Sequence, residues 1–467
     1  MKKLYKVAIL LVAMSLLATA TMFVLANETD FYNESNSEEL ESPYVIDVTG
    51  ILDHLFEPFE PIVIDASFFD TIEDYVQFRE AERLMTVQAP AVEAYSRMMK
   101  HFRTTVDGYF QLVFPDNYAG AYVDYDTLVI QLTDISDEVQ AFYKRLTGYD
   151  APITFKQVEF SVNEVMDFGI QFVESIDVSI VSYGYDTMGN SLIIVLDETA
   201  NESVMFYETF NLITMYTSVP VNLEMSEPIN REFHDLETYI PIQPYNVQIG
   251  SLHGGTRITR SGFGNFSIGI TGEIRGQSGI SHGQGLLTAG HPFIGAPRGA
   301  VVTWGGREIG RLEAFSVGGR WGGEFQARSI DGDWAIIRLN HESRVGMTNR
   351  IQTGVRVNSW SNPPVGAIVR GSGQINFTFH GTVTAVNQHH PPNTNNPSDV
   401  FGVTRVQANG TSATNGDSGG SVYQQWGSVV SLSGIVTGGT STRWYFTPID
   451  VVRNYFFPWA TNSYLTW

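Results

Sequence analysis

The segment after residue 250 consists of short apolar and β-branched runs separated by glycine-containing turns, and this texture limits the folds open to it. Of the 44 glycines in the 467-residue chain, 36 lie after residue 250. The runs include FSIGITG, AVVTWGG, WAIIRL, FTFHGTVTAV and VVSLSGIVTGG. Runs of this size suit strands of about four to eight residues rather than helices. The sequence therefore predicts an all-β sandwich or barrel for this part of the chain.

Charge divides the chain at the same place. Residues 27–250 carry 9 Lys and Arg against 40 Asp and Glu, whereas residues 251–467 carry 16 Arg, no Lys and 10 acids. This contrast predicts two folding units, an acidic segment over residues 27–245 and a basic domain over residues 246–467. Opposite net charges favour their association. We expect no nucleic-acid partner.

The first 26 residues predict an export signal. Lys2, Lys3 and Lys6 precede an apolar run from Val7, and the pattern Val24-Leu25-Ala26 suits signal cleavage. Residues 7–26 are also just long enough to span a bilayer, so a retained anchor is the alternative. The chain has no cysteine and hence no disulfides, which suits a bacterium that does not rely on oxidative folding outside the cell. We expect a secreted bacterial protein that is free of the membrane once the signal is cleaved.

The acidic segment contains an internal repeat. Residues 119–132 and 181–196 each place an aromatic strand, a turn rich in Asp, Gly or Asn and a second apolar strand in succession. An acidic, helix-compatible stretch follows each of them, and residues 69–105 also carry helical patterning. These features predict a small α+β domain.

The motif GDSGG at residues 416–420 makes Ser418 a candidate nucleophile, although glycine, aspartate and serine are also ordinary turn residues. A serine nucleophile needs a histidine base. His291 is the best candidate, because LLTAGH places it after an apolar strand and a tight Ala-Gly turn that would direct the ring outward. His389 and His390 lie in NQHHPPN, which we interpret as an exposed loop without a metal.

The base needs a carboxylate to fix its tautomer. Asp333 directly precedes the apolar run WAIIRL, where a carboxylate can be sheltered from water, while Asp331 is the weaker alternative. Asp399 lies in a turn-like stretch, and Asp417 adjoins the serine, which leaves it unable to orient a distant base. The resulting chain order His, Asp, Ser is that of chymotrypsin-type β-barrels.

With these residues assigned, the basic domain resembles the chymotrypsin-like serine peptidases, in particular the secreted bacterial branch of streptogrisins and α-lytic endopeptidase. The matching stretches are LLTAGH, DWAII, VGAIVRGSG, HGTVTAVN, NGDSGGSVY, SGIVTGGTS and YFTPI. The resemblance implies a trypsin-like fold of two antiparallel six-stranded β-barrels with the triad between them. It also implies an oxyanion hole formed by the Gly416 and Ser418 amides, where glycines allow the sharp turn. Pro292 stands where relatives carry a cysteine.

The resemblance extends to substrate binding and to the residue beside the nucleophile. It implies that Thr437 and Gly439 pair with the substrate backbone. We expect Asn415 and Trp444 to contribute to the pocket walls, with Trp444 shortening the pocket in favour of small or medium apolar residues. An inward-facing Arg443 would instead select acidic residues. Asp417 would be a buried charge beside the nucleophile, and Arg370 is its predicted partner.

The stretches FPDNYAGAYVDYDTLVIQLTD and SYGYDTMGNSLIIVLD resemble the pro-segments of the same peptidases. The function that follows is a secreted serine endopeptidase, made with a pro-segment that assists folding and then inhibits. We expect a monomer whose partners are its own pro-segment and a peptide or protein substrate, with no cofactor or metal. The alternatives are a catalytically silent binding protein of the same fold, an esterase, or a peptidase dedicated to one protein.

Overall fold

The computed structural model describes residues 71–106, 109–175, 180–197, 218–226, 252–275, 281–297, 299–317, 320–323, 332–340, 350–390, 400–452 and 456–458. All of them fall within one compact unit, Glu60–Trp467. The predicted signal peptide, the junction at residues 245 and 246, Asp331 and Asp399 lie outside the described residues. No described helix is both long and apolar enough to cross a membrane.

The acidic segment is a mixture of helices and small sheets. Its described elements are α1 (Ile72–His101), β1 (Arg103–Val106), β2 (Tyr109–Leu112), β3 (Tyr118–Asp124), β4 (Thr127–Leu132), α2 (Asp137–Thr147), β5 (Ile153–Gln157), α3 (Val162–Ser175), β6 (Ile180–Asp186), β7 (Ser191–Asp197) and β8 (Val221–Ser226). This composition confirms the predicted α+β class.

Helix α1 has clear start and stop signals. The Thr71 hydroxyl accepts a 3.0 Å hydrogen bond from the Asp74 amide, acids occupy the first turn and basic residues the last, as the helix dipole favours. Its buried residues recur every three or four positions, so the helix buries one face. They include Phe78, Ala81, Met85, Gln88, Val92, Tyr95 and Met99.

The predicted repeat is present and has one more member than the sequence showed. The hairpin β3–β4 continues through α2 into β5, which pairs in parallel with β4. The hairpin β6–β7 likewise acquires a parallel partner in β8. Each unit is therefore a hairpin followed by a parallel third strand. A parallel third strand requires a crossover connection, and α2 supplies it in the first unit.

The basic domain consists almost entirely of β-strands. Its elements are β9 (Arg257–Arg260), β10 (Gly264–Ser267), β11 (Ile270–Arg275), β12 (Ser281–Thr288), β13 (Val301–Trp304), β14 (Arg307–Val317), β15 (Arg320–Gly323), β16 (Asp333–Leu339), β17 (Ser359–Trp360), β18 (Ile368–Ser372), β19 (Phe379–His390), β20 (Val400–Ala408), β21 (Ser421–Trp426), β22 (Val429–Gly439), β23 (Arg443–Pro448), α4 (Ile449–Val452) and β24 (Phe456–Pro458).

These strands form two units. The first is an open sheet in the order β10-β9-β13-β14-β16-β12-β11-β24. The second runs β18-β21-β22-β23-β20-β19, and pairing of β18 with β19 closes it into a six-stranded barrel. The described residues thus form one closed barrel and one half-barrel, which confirms the predicted trypsin-like fold class. Buried aliphatic and aromatic side chains fill both units.

The acidic segment packs on the closed barrel and forms hydrogen bonds with its main chain. The Val123 amide donates to the Val365 carbonyl at 2.7 Å. The Gln88 side chain, from α1, donates to the Gly366 carbonyl at 3.0 Å and accepts from the Ile368 amide at 2.9 Å. Strand β6 also pairs with β19, so the sheet of the second hairpin continues into the barrel.

His389 and His390 occupy this seam, and the prediction that they lie in an exposed loop is wrong. They are the last two residues of β19, with 8% and 1% of their surface exposed. The His389 ring meets the Tyr183 ring edge-on at 4.6 Å. His390 Nδ1 lies 3.0 Å from the Val181 carbonyl oxygen. The neighbouring strand buries both rings, which the sequence around them could not reveal because the partner is some 200 residues away.

Burial lowers the pKa of His389 to about 4, so acid should destabilise the full chain. An unfolded histidine with a pKa near 6.5 binds a proton that the folded state resists. The free energy of unfolding should therefore fall as the pH drops from about 6.5 towards 4. His389→Phe retains an aromatic ring against Tyr183 and should weaken this loss. Urea unfolding of the full chain at several pH values, with Ser418→Ala in both proteins to prevent self-processing, measures it. Identical pH dependence in the two proteins would contradict the assignment.

Candidate active site

His291 is positioned by the end of strand β12. The chain leaves β12 at Thr288, turns at Gly290 and enters a short 3₁₀ turn that begins at His291. Gly290 is required here, because a Cβ at that position would lie 2.5 Å from the Ser316 carbonyl oxygen and 2.6 Å from that of Trp334. Only 3% of the surface of His291 is exposed. The sequence predicted that the ring is directed outward, whereas in the structure the residue lies inside the protein.

Asp333, the first residue of β16, holds this turn. One carboxylate oxygen accepts hydrogen bonds of 2.7 Å from the Gly290 and His291 amides. The other lies 2.6 Å from His291 Nδ1. Because an ionised carboxylate only accepts, Nδ1 carries the proton and Nε2 presents its lone pair. The imidazole is therefore set in the tautomer that a general base requires.

Ser418 lies in a tight loop that packs against the same strand end. Gly416 and Gly419 have φ angles of 101° and 86°, in the left-handed region that favours glycine. A Cβ on Gly419 would lie 2.2 Å from Thr288 Oγ1, so the loop backbone touches the end of β12. The Ser267 amide donates to the Ser418 carbonyl at 2.8 Å. The fold therefore brings the predicted serine loop beside the strand that leads to His291.

The loop also presents main-chain donors. The Gly419 amide donates to the Val436 carbonyl at 2.7 Å, which anchors the loop to β22. Among the described residues, the amides of Gly416 and Ser418 have no acceptor. The Ser418 hydroxyl donates a 3.4 Å hydrogen bond to the Thr437 carbonyl. Two free amides that flank a serine hydroxyl are able to stabilise a developing oxyanion.

Asp417 is fully buried, and its partners differ from the prediction. One oxygen accepts from the Ile375 and Asn376 amides at 2.9 and 3.0 Å. The other accepts from the Asn376 side chain at 2.7 Å and from the Thr414 amide at 3.0 Å. Burial raises the pKa of Asp417, and these donors oppose the rise. Neutral amides, rather than a cation, thus hold the carboxylate.

The structure does not pair Arg370 with Asp417. The Arg370 guanidinium is buried against helix α1, where it lies 3.6 Å from the centroid of the Phe78 ring. It donates to the Phe78 carbonyl at 2.8 Å and to the Glu82 carboxylate at 3.2 Å. The position beside Asp417 belongs instead to Gly373, where a Cβ would lie 2.4 Å from the carboxylate. The Arg370 side chain thus points to helix α1 and away from Asp417.

The predicted pocket residues lie on β22, β23 and the serine loop. Thr437 and Trp444 are fully buried, and Asn415 is exposed. The Trp444 ring packs edge-on against Phe379 at 5.0 Å inside the closed barrel. Gly439 is paired with Trp444 across the two strands.

Arg443, next to Trp444, faces the acidic segment. Its guanidinium lies 2.8 Å from Glu224 of β8, which also binds Arg405 at 3.0 Å. In the full chain this arginine is therefore engaged by a carboxylate.

Comparison with family models identifies the basic domain. Residues 255–456 match the model described as Trypsin. This domain belongs to the trypsin family. It is a chymotrypsin-like serine endopeptidase, as the sequence predicted. Residues 80–157 match a second model, described as a Pro-like N-terminal domain.

Several solved structures are similar to the trypsin-family domain. Thermobifida fusca Protease A is 21% identical, covering 45% of this chain and 100% of its own, with a TM-score of 0.33. A Cellulomonas bogoriensis chymotrypsin is 25% identical, covering 44% and 94%, with a TM-score of 0.31. A Nocardiopsis protease is 24% identical, covering 44% and 95%, with a TM-score of 0.32. No curated protein matches the chain in sequence.

Asn376 should matter more for the trypsin-family domain than Arg370. Asn376→Ala removes the amide that joins Asp417 to Thr414 and the Ser412 carbonyl, which leaves a buried charge short of donors. We expect kcat/KM to fall about tenfold or more. Arg370→Met should leave the kcat/KM of the separated domain close to that of the wild type. Steady-state hydrolysis of a chromogenic peptide measures both. A larger loss of kcat/KM in Arg370→Met than in Asn376→Ala would instead support the predicted pairing of Arg370 with Asp417.

Proposed function

We propose that the chain is a secreted serine endopeptidase precursor in which His291, Asp333 and Ser418 form the catalytic triad. The observation that carries the proposal is the Asp333 carboxylate, which binds both the main chain and Nδ1 of His291 within 2.7 Å. This leaves Nε2 able to take the Ser418 proton as the hydroxyl attacks a peptide carbonyl. The carbonyl oxygen becomes an anion, and the amides of Gly416 and Ser418 stabilise it.

The rest of the reaction uses the same groups in reverse. The protonated His291 donates its proton to the leaving amine, and the peptide bond breaks to leave an acyl group on Ser418. A water molecule then enters, loses a proton to His291 and attacks the acyl carbonyl. Collapse of this second tetrahedral intermediate returns the proton to Ser418 and releases the carboxylic acid. Asp333 remains ionised throughout and stabilises the imidazolium in both halves.

The acidic segment, residues 27–245, acts in this proposal as a pro-segment that assists folding and inhibits until it is removed. Its match to a Pro-like N-terminal domain supports this role. So do the charged contacts with the barrel that the structure describes, Glu82 with Arg370 and Glu224 with both Arg405 and Arg443. Residues 1–26 would direct export, and the freed domain would act on peptides or proteins as a monomer.

Ser418→Ala should abolish peptide hydrolysis and leave the fold intact, because it removes one oxygen atom from a loop held by its main chain. If maturation is autocatalytic, the variant should also accumulate with the acidic segment still attached. Peptidase assays, reaction with a serine-directed fluorophosphonate and mass spectrometry of the secreted protein test these expectations. Wild-type activity in the variant would refute the triad.

Trp444 should restrict the primary pocket to small or medium apolar residues. None of the predicted pocket residues is a carboxylate that could bind Lys or Arg, and the Trp444 indole is buried inside the barrel. Profiling with a peptide library should show cleavage after Ala, Val or Leu. Trp444→Leu should extend cleavage to larger apolar residues, whereas Arg443→Gln should not change the preference. Dominant cleavage after Glu or Asp would show that Arg443 forms the pocket instead.

A further inference from the structure

The Thr447 hydroxyl lies at the buried junction between the two halves of the trypsin-family domain. Thr447 belongs to β23 of the closed barrel, whereas Asp333 begins β16 of the half-barrel. Thr447 Oγ1 accepts a 2.8 Å hydrogen bond from the Asp333 amide and lies 3.2 Å from the Asp333 carbonyl oxygen. Both residues are fully buried. One side chain thus contacts both main-chain polar groups of the proposed catalytic acid.

The same hydroxyl contacts the strand that receives the serine loop. Thr447 Oγ1 lies 3.1 Å from Thr437 Oγ1, and Thr437 is also fully buried. A hydroxyl has one proton and two acceptor positions. Thr447 satisfies all three contacts when it accepts from the Asp333 amide and from Thr437 and donates to the Asp333 carbonyl. Each hydrogen bond then has one donor and one acceptor.

These contacts join the nucleophile to the acid by a route that does not pass through the histidine. The Ser418 hydroxyl donates to the Thr437 carbonyl at 3.4 Å. The Thr437 hydroxyl contacts Thr447, and Thr447 holds Asp333. The proposed triad takes its base and acid from the half-barrel and its serine from a loop of the closed barrel. The hydrogen bond between Thr447 of the closed barrel and Asp333 of the half-barrel therefore fixes the position of the acid relative to the nucleophile.

The surroundings of Thr447 fix the direction of its hydroxyl. Gly332 has a φ of 78°, and a Cβ at that position would lie 2.5 Å from the Thr447 methyl carbon. Glycine therefore makes room for the methyl group, while the branched side chain has little rotamer freedom. Valine has almost the same shape but no hydroxyl. It would leave the amide and carbonyl of Asp333 without this partner in a buried site, which is costly.

We propose that Thr447 is a positioning residue for the peptidase reaction, acting through Asp333 to align the His291 and Asp333 side of the site with Ser418. This inference rests on the proposed triad. It predicts a loss in the chemical step rather than in substrate binding, because Thr447 is buried behind the site. Small displacements of reacting groups are expensive, with about 1 Å costing about 100-fold in rate.

Thr447→Val tests the inference in the full chain, matured in trans by a trace of wild-type enzyme and quantified by mass spectrometry. We expect kcat for a chromogenic peptide to fall about tenfold or more, with KM changed less than twofold. Thr447→Ser keeps the hydroxyl and should recover most of the activity. Thr353→Val is the matched control, since that buried hydroxyl has no hydrogen-bond partner among the described residues. A wild-type kcat in folded Thr447→Val would overturn the proposal, as would an equal loss in Thr353→Val.

A double-mutant cycle separates positioning from general destabilisation. In an Asp333→Asn background, Thr447→Val should have little further effect on kcat, because the group through which it acts is already impaired. If Thr447→Val lowers kcat by the same factor in both backgrounds, the proposal is overturned. If Thr447→Val does not fold, Thr437→Val removes the other hydroxyl of the pair and should also lower kcat. An unchanged kcat in Thr437→Val would overturn the proposal as well. Ser418→Ala is assayed in parallel. Activity in that variant refutes the triad itself, whereas an inactive Ser418→Ala with a fully active Thr447→Val refutes only the role of Thr447.

Discussion

The fold around the active site depends on one buried carboxylate. Asp333 has no exposed surface, and burial of an ionised carboxylate is unfavourable unless donors surround it. The required donors are the amides of Gly290 and His291 and the imidazole Nδ1. They reach the carboxylate only if the turn after β12 lies against the start of β16. This position in turn requires glycine at 290, since the carbonyls of two neighbouring strands leave no room for a Cβ. The same hydrogen bonds therefore satisfy the charge and fix the base.

A second buried charge links the trypsin-family domain to the acidic segment. Arg370 has 1% of its surface exposed, and the ring of Phe78 and the carboxylate of Glu82 supply its partners from helix α1. The acidic segment thus provides the groups that make burial of this guanidinium acceptable. Glu224 acts similarly at the other contact, where it binds Arg405 and Arg443. In these contacts, acidic residues of the acidic segment pair with arginines of the basic domain, in line with the opposite net charges of the two parts. The chain has no disulfides, and apolar packing is non-directional. These contacts therefore help to define how the acidic segment lies on the trypsin-family domain.

The sequence predicted what depends on local pattern and missed what depends on distant contacts. The short apolar runs separated by glycine-containing turns and the two hairpins are local patterns, and they predicted the fold class correctly. His291, Asp333 and Ser418 could be proposed from the sequence because each stands at a recognisable strand end or glycine loop, and their roles remain a proposal. Arg370 was assigned to the wrong partner because its actual partners, Glu82 and Phe78, lie 288 and 292 residues away along the chain. Asn376 lies 41 residues from Asp417 along the chain, and Thr447 lies 114 from Asp333. Neither stands in a motif that would have revealed its partner.

Directional hydrogen bonds allow a site assembled from a half-barrel and a closed barrel to hold its geometry. Apolar packing joins the halves strongly, but it is non-directional and does little to prevent one sheet from sliding on the other. Hydrogen bonds with fixed donors and acceptors oppose such sliding. At this junction they cluster beside the proposed triad: the Ser267 amide on the Ser418 carbonyl, the Ser421 hydroxyl on the Gly269 carbonyl, and Thr447 on Asp333. Because folding exchanges hydrogen bonds with water for bonds within the protein, each contributes little net stability. Their main contribution is therefore to position, since they align the acid and base of one half with the nucleophile of the other.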